Sequence, residues 1–452
     1  MRVCFLLCGV ATLGLVMGTT VCTAQTGDLR AGAAKVDISP TKDMFPLKGM
    51  QVYGSLHDPL YVRALVVDSG LAKLAFISVD AADIIYGNEL IQAVTGELKI
   101  PAENLIINAT HDHNSPLFGS PGREPATARP YFELVKKGIL EAARQANANL
   151  QPARVGFGTG KAYVNTNRDE KIGEGYHMGY APDGPSDKTV AVVLLTRPSG
   201  EPIAMYTNYA VHSVVMFRTH TQDGQVQVTS DLAGWTAKYV EDHFEGAVAL
   251  FTMGAAGDQN PLFMANYNQD APDVYDEGPA GWAILDVQSR RLGEEIVRVV
   301  KAIQNTAGRA VIWAAASSVT CPGQQRATPP QPGVPGAGWR APAPSTVKMI
   351  DGDPVTIPLQ LLMIDDIAIT AVAAEVFTEI GMHVKQDSLF DRTLMVTLLA
   401  NRVGYIPTDK AYLLPSEKAV GNRLKPGCAE PAIVSEFQGM MKRYLPVRQA
   451  AH

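Results

Sequence analysis

The chain comprises 452 residues, of which 46% are hydrophobic, 19% charged and 7% aromatic. Such figures exclude a disordered tail, a collagen and a disulfide-knotted miniprotein, and they leave room for a sizeable core. With 39 Lys+Arg against 45 Asp+Glu the net charge is −6, and no basic stripe interrupts it, so nucleic acid is not an expected partner.

In chain order, the first feature is a leader. Arg2 precedes an uncharged run from Val3 to Cys22, closed by Thr23-Ala24-Gln25. One early charge, a short apolar stretch and a small residue before a polar segment describe a secretory signal with cleavage expected after Ala24. The run approaches the length of a membrane span, but Gly9, Gly14, Gly18 and Thr19-Thr20 weaken a stable helix. The expectation is a signal over 1–24 and export to a secreted or periplasmic location. Cys4, Cys8 and Cys22 leave with it. The remaining Cys321 and Cys428 either pair in an oxidising compartment or stay as thiols.

Two β runs, Val62–Val67 and Leu74–Val79, flank a Ser69-Gly70 turn signal. A helix is predicted over Asn88–Leu98, a strand over Leu105–Ile107 and a helix over Pro130–Ala148, where apolar residues recur at helical spacing. Further strands are predicted at Arg154–Phe157, Val190–Thr196, Ile203–Tyr209 and Ala247–Thr252. Between the last two, Ser230-Asp231 reads as the N-cap of a helix through Phe244. A helix over Val287–Ile303, strands at Ala310–Ala315, Val355–Ile364 and Ile367–Val372, a short helix and a strand at Thr393–Leu399 complete the set. Alternating helices and apolar strands predict an α/β fold, a mixed sheet with flanking helices in one large catalytic domain spanning 25–452. Residues 321–345 hold seven prolines and read as a surface loop within that domain.

The chemistry concentrates at strand ends. His111 and His113 follow Leu105–Ala109, and i and i+2 on an extended chain share one side. The pair either faces a cleft at the carboxyl end of a strand, where α/β sheets place their sites, or lies exposed on a loop. His212 ends the run Met205–Val211 in a similar chain position, and Glu375 follows Ile367–Ala374. Imidazole and carboxylate donors converging from separate strands are what a zinc site requires. The Gly254–Pro261 turn is neither a phosphate loop nor a dinucleotide fingerprint, and no Gly-x-Ser-x-Gly elbow is present.

At these positions the sequence resembles the neutral/alkaline non-lysosomal ceramidase family. The resemblance runs through Leu29–Pro40, His57–Leu65, His111-Asp112-His113, Asn165-Thr166-Asn167-Arg168, Asn208–His212, Gly257-Asp258, Glu375-Val376-Phe377 and Gly404–Thr408, in the family's order. It implies a zinc-dependent amidase on a mixed α/β domain. By motif position the metal ligands would be His111, His212, Glu375 and Tyr405. His113 would move a proton or orient substrate, Arg168 would hold or polarise it, and Asp258 is an alternative proton shuttle. The departures are specific: Asp112 stands where the family usually has threonine, and Gln259-Asn260-Pro261 replaces Val-Ser-Pro, so no serine nucleophile carries over. Tyr412 lies near the place of the family's second tyrosine. The sequence ends at His452, where larger members continue into a β-rich domain, so a shortened member is expected. The implied partner is an N-acyl lipid or another small amide, with transient contact at a membrane surface. The implied reaction is amide hydrolysis, of ceramide or of a smaller N-acyl or ester compound. A non-catalytic lipid- or glycan-binding relative is the remaining alternative.

Overall fold

The computed structural model describes residues 26–48, 51–116, 128–172, 175–222, 224–267, 275–328, 347–413 and 418–451. The expected leader, and all but the first residues of the proline-rich segment, lie outside these. No helix among the described residues is long and apolar enough to cross a membrane.

Three mixed sheets share one core. The first orders Leu105–Ala109, Lys73–Val79, Tyr61–Asp68, Arg30–Asp37 and Gln151–Pro152. The second orders Val248–Met253, Pro202–Tyr209, Thr189–Thr196 and Arg154–Lys161, and the third Ile312–Arg326, Met349–Ile364, Ile367–Val372 and Arg392–Val396. Side-chain alternation explains the layering. Val62, Ala64 and Val66 face the helix Ala128–Ala148, whereas Leu65 and Val67 enter a core shared with Ala191, Val193 and Leu195 of the second sheet. On its other face the second sheet buries Val190, Val192 and Leu194 against helices Asp231–His243 and Gly281–Ala302. The third sheet adds Leu362, Ile364, Ile369 and Val396 to the shared core. Its opposite face packs against the helix Ala429–Ala451 through Ile433, Phe437, Met440 and Tyr444. Strands buried on both faces must read as near-continuous apolar runs. Gly32 lets helix Ala128–Ala148 sit close, because a Cβ there would lie 2.2 Å from the Ala146 carbonyl oxygen.

The expected α/β architecture is present, with its strands divided among these three sheets and several smaller ones rather than gathered in one. Several boundaries differ from the sequence reading, and helix Ala429–Ala451 is additional to it. The strand that opens the third sheet runs from Ile312 to Arg326, so the first residues of the proline-rich segment are sheet. Pro322 fits because the register shifts between Cys321 and Gly323, and a bulge tolerates a residue without an N–H. Helix Gly281–Ala302 begins six residues earlier than expected. Cys321 and Cys428 are bonded, with Cα atoms 5.7 Å apart.

Each sheet has a parallel pair: Lys73–Val79 with Leu105–Ala109, Pro202–Tyr209 with Val248–Met253, and Ile367–Val372 with Arg392–Val396. Hydrogen bonds tie these strands together near their carboxyl ends. Ser78 Oγ donates to the Phe251 carbonyl, Asn208 Nδ2 to the Met395 carbonyl, and the Thr397 N–H to the Met253 carbonyl. The loops leaving all three pairs therefore emerge into one region.

Candidate metal centre

Five chain segments meet there. Leu105–Ala109 leads to His111 and His113, Pro202–Tyr209 to His212, and Val248–Met253 to Gly257–Asn260. Ile367–Val372 leads to Glu375, and Arg392–Val396 to Arg402 and Tyr405. Glu375 and Tyr405 are direct partners in a short parallel pair. The two histidines from the first strand do meet, their rings 4.4 Å apart at 88°, but not by extended alternation. His111 has φ +62°, a left-handed conformation rare outside glycine, and residues 113–114 turn directly afterwards. Backbone strain of this kind is found where a side chain must be aimed.

Backbone carbonyls settle the tautomers of two imidazoles. His111 Nδ1 lies 2.6 Å from the Ala82 carbonyl oxygen, and His212 Nδ1 lies 2.9 Å from that of Gln259. A carbonyl only accepts, so each Nδ1 carries the proton and each Nε2 presents a lone pair. Glu375 Oε2 lies 3.3 Å from His111 Nε2 and 3.6 Å from His212 Nε2, is buried, and makes no hydrogen bond among the described residues. An orphaned carboxylate oxygen facing two lone pairs is electrostatically unfavourable alone and suits a shared cation. Nitrogens of His111, His113 and His212 also fall within 4.8 Å of one another, so this triad could hold a metal ion. His113 differs from the other two: its Nε2 is 3.1 Å from His111 Nε2, and its buried Nδ1 has no hydrogen-bond partner among the described residues. No carbonyl among the described residues fixes its proton.

Arg168 is buried against this group. Nη1 lies 3.3 Å from His212 Nε2 and donates to Asn260 Oδ1 at 3.2 Å, while Nη2 donates to the Gly257 carbonyl at 2.6 Å and the Tyr405 hydroxyl at 3.2 Å. Asn260 thus orients this guanidinium. Asp258 points elsewhere. It accepts from the Thr378 N–H at 2.8 Å and from Asn167 Nδ2 at 3.0 Å, fastening the start of helix Thr378–Gln386. Asp112 is buried and accepts from the Asn114 N–H, and its Oδ2 has no hydrogen-bond partner among the described residues. Tyr412 packs beside Tyr405 and Phe377, and its buried hydroxyl is also without one among those residues.

Burial sets the protonation states, and neighbouring charge modifies them. Desolvation, then Arg168 and His111, push His212 down to about 3. Desolvation and the two adjacent imidazoles hold His113 well below its ordinary value. Burial opposes ionisation of Glu375, but neighbouring positive charge, including the Arg402 guanidinium on Oε1, outweighs it and holds the carboxyl well below the usual range. Burial raises the Tyr405 hydroxyl, and Glu375 raises it further. Desolvation carries Asp258 up to about 7.

The sequence reading missed Arg402. Its Nη1 is 2.7 Å from Glu375 Oε1, and its Nε is 2.6 Å from Asp83 Oδ2. The only sequence signal for it is a basic residue three positions before Tyr405, which is too common to single out.

The family model for neutral/alkaline non-lysosomal ceramidases, N-terminal part, matches residues 47–274, half of the chain. The chain belongs to this family. The match contains His111, His113, Arg168, His212 and Asp258, whereas Glu375, Arg402 and Tyr405 lie beyond it. Neutral ceramidase B of Dictyostelium discoideum is 25% identical over 285 residues, which cover 56% of this chain and 37% of that relative. Neutral ceramidase A of the same organism is 24% identical over 242 residues, or 47% and 32%. The aligned part is about a third of the length of these curated relatives. The crystal structure of the neutral ceramidase from Pseudomonas aeruginosa superposes with a TM-score of 0.68 at 17% identity, covering 94% of this chain and 75% of that one. A structure described as ceramidase complexed with C2 gives 0.69 at 17%, covering 93% and 76%. At these identities the likeness establishes the shared fold.

Proposed function

We propose that this chain is an exported, zinc-dependent amidohydrolase that cleaves the N-acyl amide bond of ceramide or a related N-acyl lipid. The observation that carries the reading is the convergence of two tautomer-fixed Nε2 lone pairs on the orphaned Oε2 of Glu375. Nitrogen, nitrogen and carboxylate oxygen form a donor set typical of catalytic zinc, and Tyr405 is the fourth group in the proposed set. When bound, zinc would supply Lewis acidity, polarising an amide carbonyl and lowering the pKa of water.

The chain's own residues do the rest. Arg168, aimed by Asn260 and Gly257, offers N–H donors to the negative charge that develops on the carbonyl oxygen. His113 is neutral, adjacent to His111 and free of a fixing carbonyl, so it can take a proton and return it to the leaving amine. Phe217 packs edge-on against His113 with ring centroids 5.3 Å apart, which keeps that imidazole oriented and partly dry. Asn260 has no nucleophilic oxygen, so acyl transfer to that position is not part of the scheme. The family membership and the names of the relatives supply the lipid substrate class.

The test is a substrate panel on the purified protein. Release of fatty acid from ceramide, exceeding that from short N-acyl amines and esters and abolished by a chelator, is the expected result. Cleavage confined to short amides or esters would contradict the lipid assignment, and chelator-insensitive turnover would contradict the metal.

A further inference from the structure

We propose that Arg402, held by Asp83, is a positioning residue for Glu375: it occupies one carboxylate oxygen so that only the other faces His111 and His212. This rests on reading those three residues as a metal site. Glu375 is nearly inaccessible, at 2% side-chain exposure, and each of its oxygens has a distinct surrounding. Oε1 takes the Arg402 guanidinium at 2.7 Å, while Oε2 looks at the two imidazole nitrogens. A free carboxylate can turn about its last torsion and engage a cation through either oxygen or both. A planar guanidinium bonded to one oxygen removes that freedom.

The arginine is itself fixed from two directions. Its Nε donates to Asp83 Oδ2 at 2.6 Å. Its loop is pinned on either side, by the Ala400 N–H to the Ile107 carbonyl and the Val403 N–H to the Ala373 carbonyl. Asn401 takes the turn with φ +66° and donates to Asn88 Oδ1. The Ala82-Asp83 segment therefore aims two groups at once: His111 through the Ala82 carbonyl, and Glu375 through Asp83 and Arg402. Outer partners of this kind set the orientation of inner ligands and hence the affinity of the site.

Positioning and bare charge make opposite predictions. A positive charge beside a cation site opposes binding, so if Arg402 acted only as charge, its removal would tighten zinc. If it aims Glu375, removal weakens zinc by roughly 10- to 100-fold. Zinc affinity of the full chain is measured by competition with a chromophoric chelator, and cobalt(II) provides a visible spectrum of the ligand geometry. Arg402→Ala is expected to lose affinity in that range and to alter the cobalt bands. Arg402→Lys, which can reach one oxygen but not Asp83 as well, is expected to recover part of the loss. Asp83→Asn is expected to shift both readouts in the same direction as Arg402→Ala, by less. Unchanged or tighter zinc binding in Arg402→Ala would overturn the proposal, as would a fall in melting temperature with affinity and cobalt spectrum intact. If the wild type binds no zinc, the metal reading fails on its own. The pairing is then decided by a double-mutant cycle of Arg402→Ala with Glu375→Gln on thermal unfolding. Coupled effects support the pairing and additive ones overturn it.

Discussion

Replacing Cys321 and Cys428 together by serine removes a cross-link between residues 107 apart in sequence. The chain-entropy relation for a loop of this size gives about 5 kcal/mol of stabilisation, arising in the unfolded state. With an unfolding entropy near 2.1 cal/mol/K per residue, a chain of this length should lose roughly 5 °C of melting temperature. The folded side should change little, because the same two segments remain hydrogen-bonded. The Gln324 N–H donates to the Arg423 carbonyl, and the Lys425 N–H to the Pro322 carbonyl. Those bonds matter for the site, since Asn422 in the same loop donates to the Tyr405 carbonyl at 3.2 Å. Differential scanning calorimetry of the double variant, with zinc content and turnover measured at 25 °C, tests the argument. The expected result is a lower melting temperature with both site readouts preserved. An unchanged melting temperature together with lost zinc or activity would refute it, showing that the bond holds the loop in the folded protein.

Arg63 lies inside the first sheet and pairs with both Asp80 and Glu241, at 3.0 and 2.9 Å. Arg63→Ala should cost about 3–5 kcal/mol in chemical denaturation, because two buried carboxylates lose their partner. Asp258, carried up to about 7 by burial, is raised in the folded state, so folding favours its neutral form and the penalty of burying its charge grows as pH rises. Asp258→Asn should gain roughly 3 kcal/mol relative to wild type between pH 5 and pH 8, read from paired unfolding curves. A difference independent of pH would show that Asp258 titrates normally. Tyr412→Phe removes a buried hydroxyl that makes no hydrogen bond among the described residues. Stability should stay level or rise, and a fall in kcat with KM and zinc retained would place that hydroxyl on the substrate.

Much of the fold is legible in the sequence for one physical reason. Strands such as Tyr61–Asp68 and Thr189–Thr196 are buried on both faces, so their apolar runs are nearly unbroken. The long hairpin of the third sheet is harder to read. Val319, Cys321 and Gly323 alternate with exposed residues there, and Pro322 sits at a bulge, so composition suggests a loop. Helix Ala429–Ala451 carries a helical series of Ile433, Phe437, Met440 and Tyr444 that spacing alone should have revealed, but Pro431 and Pro446 mask it. At the site, strand-end histidines stand out because a polar residue closing an apolar run is conspicuous. Arg402 does not, because its role depends on Glu375 and Asp83, which only the folded chain brings together. Local pattern reads His111 as extended backbone, whereas its left-handed turn depends on tertiary contacts that no local pattern encodes.

The central claim is that His111 holds the metal and His113 serves the reaction beside it. The most direct test is zinc content, by elemental analysis, of the wild type, His111→Ala and His113→Ala purified in parallel. A full equivalent in the wild type and in His113→Ala, with none in His111→Ala, is the result predicted. Loss of zinc from His113→Ala, or equal zinc in His111→Ala and wild type, would contradict it.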